Sequence, residues 1–374
     1  MKRFLTIFLI ALMFVFSGCP GGEEEKEKDK DNKMEVKGIE TKAAKEFMDN
    51  YMRYLLRGDD TAAKSFYSPK VKESIKSDTP KVPEPHPVGY KIEGGESKKD
   101  KREMKATIYS SYTGAPYFSE DSFKYTLILE KGRLLIDKIE KEKSIEIFAK
   151  KNTLYKREGD KVEGDKLLTT DELPYFATSK SAAEQKFQVS KDSFGPCAIA
   201  SDGKKIVITT VGSNSLVAIA EMEESEEAVA LEGGDKQGGG QGEGGGGGGA
   251  QGGEQPGGAQ KKPKIKITPV DLYFKNKINV ANFSPDGKKF IVEFTSPDGM
   301  SRMLMYDSGK GDIVKTPIDK QFKEGSFSVK NSYFISDDEI VFNVEPGKDT
   351  TSEEKMLKGE WILDVKKQKL KQGK

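Results

Sequence analysis

The sequence predicts two folded domains: an α+β domain of helices packed on a curved antiparallel sheet, followed by an all-β domain. Apolar residues recur at three- and four-residue spacing around position 50 and then alternate with a period of two, so helices precede strands. Farther along, a polar turn and its flanking strands recur three times. This repeat predicts about four similar β units, arranged as a small ring or an incomplete arc.

The first eighteen residues have the pattern of a secretory signal peptide. Lys2 and Arg3 give a positively charged start, and residues 4–16 form an apolar stretch that is too short to span a bilayer. Small residues follow, and then Cys19. The pattern predicts export from the cytoplasm.

The segment Phe16-Ser17-Gly18-Cys19 resembles the lipobox of bacterial lipoproteins, although that family usually has Leu, Val or Ile where this chain has Phe16. The resemblance implies that a peptidase cuts between Gly18 and Cys19 and that the Cys19 thiol carries diacylglycerol. Two or three acyl chains hold a protein stably at a membrane. We therefore expect a lipid anchor at the extracytoplasmic face of the cell membrane. An ordinary secreted protein and an uncleaved anchor are the alternatives.

Residues 19–38 predict a flexible, charged tether that begins at the lipidated cysteine. Every residue from Glu23 to Lys30 is charged, so the segment has no apolar surface to bury. Fully extended, it spans about 60 Å at ~3.3 Å per residue. We expect the folded domains to stand away from the membrane.

Composition argues against several classes of function. The formal net charge is +1 and the signs are mixed, which argues against nucleic-acid binding. The single histidine, His86, lies in a proline-rich loop without a second ligand nearby, so neither a metal site nor histidine-dependent catalysis is predicted. If Cys19 is acylated, Cys197 has no disulfide partner, and its apolar neighbours predict a buried thiol. No catalytic residue, metal ligand or cofactor is predicted.

The first predicted domain covers residues 39–145, where an apolar helical face is followed by alternating strands. This order resembles the nuclear-transport-factor-2-like, SnoaL-like cone family. The resemblance implies a cavity for a small molecule or a partner. Its lining residues would be aromatic: Phe47, Tyr51, Tyr54 and Tyr109. Aromatic residues at helical spacing are also common in cores, and no acidic residue clearly faces inward.

The second predicted domain covers residues 146–374 and contains the internal repeat. Turns at Asp202, Asp286 and Asp338 each join two strands. Asp286 and Asp338 lie 52 positions apart, and the separation of 84 positions from Asp202 to Asp286 becomes 52 when the 32 residues 233–264 are left out. A period near 50 with several short strands per unit predicts β-propeller blades. The Gly-rich residues 233–264 are then a disordered insertion in one unit.

The segment Ser284-Pro285-Asp286-Gly287-Lys288-Lys289 resembles the turn of TolB-type propeller repeats. The resemblance implies a propeller-like domain of about four blades, closed as a small ring or left open as an arc. Three turn aspartates also invite a calcium interpretation: Asp202, Asp286 and Asp298. Because they stand in separate hairpins, turn chemistry explains them better than a shared ion does.

These features favour a non-enzymatic binding or protein-interaction module at the cell envelope, anchored in the membrane by lipid. Its partner would be an envelope protein or a small-molecule ligand. One alternative is an isomerase- or hydratase-like enzyme in the cone cavity, which would need a buried acid beside a tyrosine. A structural role in the envelope is the third hypothesis.

Overall fold

Most of the chain is β-strand. The structure is a computed structural model that describes residues 39–75, 85–98, 100–182, 185–222 and 264–373. Strands account for 53% and helices for 13% of these residues. The predicted signal peptide, the tether and almost all of the Gly-rich insertion lie outside the described residues. Among those described, no helix is both long and apolar enough to cross a membrane.

Five short helices accompany the strands in the described part of the chain. They are α1 (Thr41–Leu56), α2 (Asp60–Lys64), α3 (Pro69–Ser74), α4 (Ile318–Gln321) and α5 (Ser352–Lys355). The apolar face predicted for α1 is buried, with Met48 and Tyr51 at its centre. The Ser68 side chain accepts the Val71 N–H at 3.3 Å and so caps α3.

Twenty-one strands are described. The first ten are β1 (His86–Glu93), β2 (Ser97–Lys98), β3 (Lys101–Ser111), β4 (Tyr117–Glu130), β5 (Arg133–Lys150), β6 (Thr153–Glu158), β7 (Asp165–Thr169), β8 (Phe176–Thr178), β9 (Lys186–Gln188) and β10 (Ser193–Phe194). The others are β11 (Ala198–Ile199), β12 (Lys205–Val211), β13 (Asn214–Met222), β14 (Ile265–Phe274), β15 (Lys277–Phe283), β16 (Lys289–Thr295), β17 (Ser301–Asp307), β18 (Phe327–Phe334), β19 (Glu339–Pro346), β20 (Gly359–Asp364) and β21 (Lys369–Gln372).

The described strands form four sheets. The largest has eleven strands, in the order β21-β20-β19-β18-β1-β3-β4-β5-β6-β7 with β2 paired to β3. A five-stranded sheet has the order β10-β12-β13-β14, with β11 also paired to β12. Strands β15, β16 and β17 form a third sheet, and β8 pairs with β9.

The predicted fold class is wrong. Strand β1 pairs in parallel with β18 at Gly89 and Phe334, so strands from both ends of the chain share one sheet. Left alone, β1 would expose an unpaired edge, and β18 covers it. The helices therefore do not make a separate α+β cone with the strands that follow them. The chain is mostly β, and its described residues form large sheets without a closed propeller.

The repeated turns nevertheless join antiparallel strands, as the sequence predicts. They connect β11 to β12, β15 to β16 and β18 to β19. In the second turn, Asp286 Oδ1 accepts the Lys288 N–H at 3.1 Å and the Ser284 hydroxyl at 2.7 Å. Asp202 likewise accepts the Lys204 N–H at 2.9 Å. The aspartates thus satisfy donors of their own turns.

Apolar packing joins the third sheet to β18, β19 and β20. Ile291, Met303 and Met305 of the third sheet lie in one buried cluster with Phe334 and Phe342. The other face of the third sheet packs toward the five-stranded sheet, where Phe290 and Tyr306 belong to another buried cluster. Strand β17 is thereby held between two packed layers, while its outer edge borders a cavity.

Candidate functional site

A cavity of about 550 Å³ opens at the outer edge of β17. We call it the β17 cavity; its main lining residues are Asp271, Tyr273, Phe294, Arg302, Asp319 and Phe322. Strand β14 forms one side, and α4 with the start of β18 forms the other. Its volume lies within the range of small-ligand pockets. The β17 cavity is therefore our candidate binding site.

Aromatic rings make up much of the cavity wall. Tyr273 and Phe294 meet edge to face, with their ring centroids 4.8 Å apart. On the opposite side, Phe322 and Phe327 have centroids 5.7 Å apart in a similar arrangement. These rings are buried because β14, β16, α4 and β18 each direct apolar side chains between the layers. The wall offers apolar contact and fixed geometry to a ligand.

A hydrogen-bonded chain of three side chains lies beneath this wall. The Tyr306 hydroxyl donates to Asp271 Oδ2 at 2.8 Å. The hydroxyl oxygens of Tyr273 and Tyr306 are 2.5 Å apart. Since the Tyr306 hydrogen is directed at Asp271, Tyr273 donates to Tyr306. The chain thus runs from Tyr273 through Tyr306 to the carboxylate.

Backbone donors complete the environment of Asp271. Asp271 Oδ1 accepts the N–H of Lys180 at 2.9 Å and the N–H of the next residue, Leu272, at 2.8 Å. Burial raises the pKa of Asp271, and these hydrogen bonds together with that of Tyr306 oppose the rise. Burial also raises the pKa of both tyrosines, which therefore stay protonated. Asp271 is consequently fixed in position by three donors.

Arg302 bridges the two sides of the cavity. Its Nη1 donates to the carbonyl of Phe327 at 2.9 Å and to that of Ser301 at 3.1 Å. Its Nη2 donates to Asp298 Oδ2 at 3.2 Å. The buried Nε has no hydrogen-bond partner among the described residues. Arg302 is thus held by the start of β18 and by an aspartate, and these contacts engage most of its N–H donors.

The cavity rim carries two exposed carboxylates. They belong to Asp319 in α4 and Glu324 just before β18, and both line the cavity. The nearest contact of Glu324 with Arg302 is 3.9 Å to Nε, which is too long for a hydrogen bond. Partial desolvation and then the Glu324 carboxylate raise the pKa of Asp319. The rim is therefore acidic and suited to a cationic group.

The residues that the sequence proposed for a cone cavity occupy two places. Phe47, Tyr51 and Tyr54 surround Phe66, with ring centroids 5.0, 5.7 and 5.7 Å away respectively. Tyr109 belongs to a different buried cluster. The structure thus brings three of the four together as packed core and leaves Tyr109 apart.

An acid does lie beside a tyrosine near α1. Asp49 accepts a hydrogen bond from the Tyr90 hydroxyl, and its other oxygen accepts Arg53 Nε at 2.8 Å. This pair belongs to the contact between α1 and β1. On the same helix face, Arg57 makes a two-pronged contact with Glu360 of β20, at 2.6 and 2.9 Å. These charges join α1 to the large sheet.

Cys19 and Gly18, the proposed lipidation and cleavage residues, lie outside the described residues. Cys197 is buried, as predicted, and burial raises the pKa of its thiol to about 12. His86 is exposed at the start of β1, and its Nε2 lies 3.0 Å from the Leu56 carbonyl. Its ring therefore contacts the end of α1.

Sequence reasoning missed every residue of the β17 cavity. One signal was present, because Asp271 interrupts the apolar run from Val270 to Tyr273 in β14. A carboxylate in a buried strand needs hydrogen-bond donors nearby, so this pattern indicates a buried polar side chain with partners from other parts of the fold. The position of Tyr306 opposite it had no comparable signal, since that tyrosine fits an ordinary alternating strand.

Comparisons with known proteins add little to this geometry. No protein-family model matches the chain, and no curated protein matches it in sequence. Among solved structures, TolB from Acinetobacter baumannii is similar over 76% of this chain and 68% of its own, at 10% identity and a TM-score of 0.31. A puromycin-hydrolyzing peptidase from Mycobacterium tuberculosis is similar over 70% of this chain and 52% of its own, at 8% identity and a TM-score of 0.21. Likenesses this weak assign neither a fold nor a function.

Proposed function

We propose that the chain is a lipid-anchored binding protein of the cell envelope and that the β17 cavity holds its ligand. The residues up to Cys19 support the anchor, since a positive start, a short apolar stretch and a cysteine are arranged as in bacterial lipoproteins. An acylated Cys19 followed by a charged tether would place the folded part outside the membrane. The protein would then act on molecules of the extracytoplasmic space.

The β17 cavity carries the binding proposal. It combines aromatic walls, a fixed polar group and an acidic rim within a volume suited to a small ligand or to a short segment of a larger one. Binding needs this kind of preorganised surface, because groups that are already fixed lose little freedom when the ligand arrives. The hydrogen-bonded chain that ends at Asp271 supplies that rigidity.

The hydrogen bonds that link Tyr273, Tyr306 and Asp271 also support a non-enzymatic role. A general base needs a lone pair directed at a substrate proton, whereas three of the roughly four lone-pair sites of Asp271 already accept two N–H groups and one O–H group. The tyrosine hydroxyls are likewise engaged with each other and with Asp271. These groups shape the cavity wall, and we propose that their role is structural support of binding.

Native mass spectrometry of the full-length protein, extracted from bacterial envelopes in mild detergent, tests this function. We expect a co-purified ligand on the wild-type protein and its loss from a double variant, Asp319→Lys with Glu324→Lys. The matched control is Glu163→Lys, because Glu163 is exposed and has no ion pair with another described residue. A ligand that persists on the double variant would contradict the proposal, and so would a wild-type protein that carries none.

A further inference from the structure

On its outer edge, β17 carries an N–H and a C=O of Met303 that bond to no other described residue. Among the described strands, β17 pairs with β16 alone, and Ile313 bridges to Tyr306 on its other edge. Residues along an antiparallel strand alternate between main-chain groups that point inward and outward in the plane of the sheet. The Asp307 N–H donates outward to the Asp312 carbonyl at 2.9 Å, and the Met305 carbonyl accepts the Val314 N–H at 2.8 Å. By alternation, the N–H and C=O of Met303 also point outward.

The neighbouring outward positions are occupied, which isolates Met303. On one side, the Ser301 N–H donates to the Ser328 hydroxyl at 3.1 Å. On the other side, residues 312–314 cover Met305 and Asp307. Among the residues that the structure describes, none forms a hydrogen bond with the outward N–H or C=O of Met303. One donor and one acceptor are therefore left side by side on the edge that borders the β17 cavity.

We propose that this edge captures an extended polypeptide segment that carries a basic side chain, with one residue of the segment pairing with Met303. A main chain matches this edge because each of its residues presents a donor and an acceptor at the same spacing. Adding a strand to a sheet edge is a common mode of peptide recognition. Met303 itself is only 5% exposed, so a segment would reach this edge through the β17 cavity, which Met303 lines. A lone small molecule would have to reproduce both groups by chance.

The walls and the rim select the side chains of the segment. A residue next to the paired one directs its side chain to the face of the sheet opposite to that of Met303. Phe294 lies on that face, because it is paired with Arg302 across the ladder, and Tyr273 packs against it. The rim carboxylates of Asp319 and Glu324 are exposed, while Arg302 is already bound to carbonyls and to Asp298. Opposite charge at the rim therefore favours Lys or Arg in the segment.

This inference rests on the proposed function and makes it specific. The test uses the full-length protein and a displayed library of random, unstructured heptapeptides. We expect enrichment of sequences in which Lys or Arg stands near an aromatic or aliphatic residue. Enrichment should disappear with the double variant Asp319→Lys and Glu324→Lys and persist with Glu163→Lys. A library that yields no binder overturns the proposal, and so does equal enrichment by the charge-reversed variant.

N-methylation of the selected peptides then tests the strand pairing. A methyl group on the residue opposite Met303 removes the only N–H that reaches this edge, so the affinity should fall about tenfold. Methyl groups on the two adjacent residues should be tolerated, because their N–H groups point away. The affinities are measured by fluorescence anisotropy. If N-methylation changes the affinity at no position of the peptide, strand addition is refuted.

The two proposals can fail separately. If envelope-purified protein carries a cavity-dependent ligand that is not a peptide, the binding function stands and the peptide inference falls. If the wild-type protein and the charge-reversed variant carry the same ligand, the cavity itself is not the binding site. Native mass spectrometry distinguishes these outcomes because the mass and fragmentation of the released ligand identify its class.

Discussion

Glu293 should make the stability of the fold depend on pH near neutrality. This residue lies on β16, is only 5% exposed, and accepts the Ser332 N–H at 2.9 Å. Ser332 belongs to an irregular part of β18, next to Asn331 at a φ of 54°. Burial raises the pKa of Glu293 to about 7, against hydrogen bonds from Ser332 and Asn331 and the charge of Lys330.

The raised pKa fixes both the sign and the size of the effect. Below the unfolded-state pKa of 4.5 the carboxyl is protonated in both states, so its contribution to stability is fully present. Between pH 4.5 and about 7 the Glu293 carboxyl is ionised in the unfolded state but stays protonated in the folded state, because burial disfavours its charge. That contribution to stability is therefore lost as the pH rises through about 7. A rise from 4.5 to about 7 corresponds to about 3 kcal/mol at ~1.36 kcal/mol per pH unit.

Glu293→Gln removes the ionisation and keeps an oxygen that can accept the Ser332 N–H. We therefore expect urea unfolding at pH 5 to give similar free energies for the wild-type protein and the variant. At pH 8 the variant should be more stable by up to about 3 kcal/mol. Glu163→Gln, at an exposed site, is the control and should show no such difference. A wild-type-to-variant difference that is the same at both pH values would refute the reasoning.

Three further predictions concern other parts of the chain. Tyr306→Phe should lower the free energy of unfolding by about 1–3 kcal/mol, because it strips a donor from buried Asp271; Tyr273→Phe, which keeps that donor, should lower it less in the same denaturation assay. Cys197 should resist a thiol reagent in the native protein and react once the chain is unfolded, and rapid native labelling would contradict its burial. Cys19→Ala should release the protein from membranes or leave it unprocessed, as judged by fractionation and intact mass, whereas unchanged membrane association would argue against lipidation.

Local features of the fold were predictable from the sequence because they depend on neighbouring residues. The apolar spacing around Met48 and Tyr51 indicates the buried face of α1, and the Asp286-Gly287 pair indicates a hairpin turn. The overall architecture was not predictable in the same way. Pairing of β1 with β18 joins distant parts of the chain, and no local period records it. That one pairing places strands from both expected domains in one sheet.

The candidate site was missed for a related reason. Its polar chain is assembled from β14 and β17, and apart from Asp271 the residues of each strand look ordinary when taken alone. The rim adds Asp319 from a helix of one turn and Glu324 from a loop. Charged residues are common in such segments, so their convergence appears only in three dimensions. Asp271 in an apolar strand was the one signal that the sequence contained.

Photo-crosslinking in intact cells tests the central claim most directly. A benzophenone amino acid at position 297, on the cavity lining, would be compared with the same amino acid at position 163 in the full-length protein. A ligand held in the β17 cavity should give a defined crosslinked product at position 297 and none at position 163, and charge reversal at Asp319 and Glu324 should abolish it. Equal products at both positions, or no product at position 297, would contradict a binding function for this cavity.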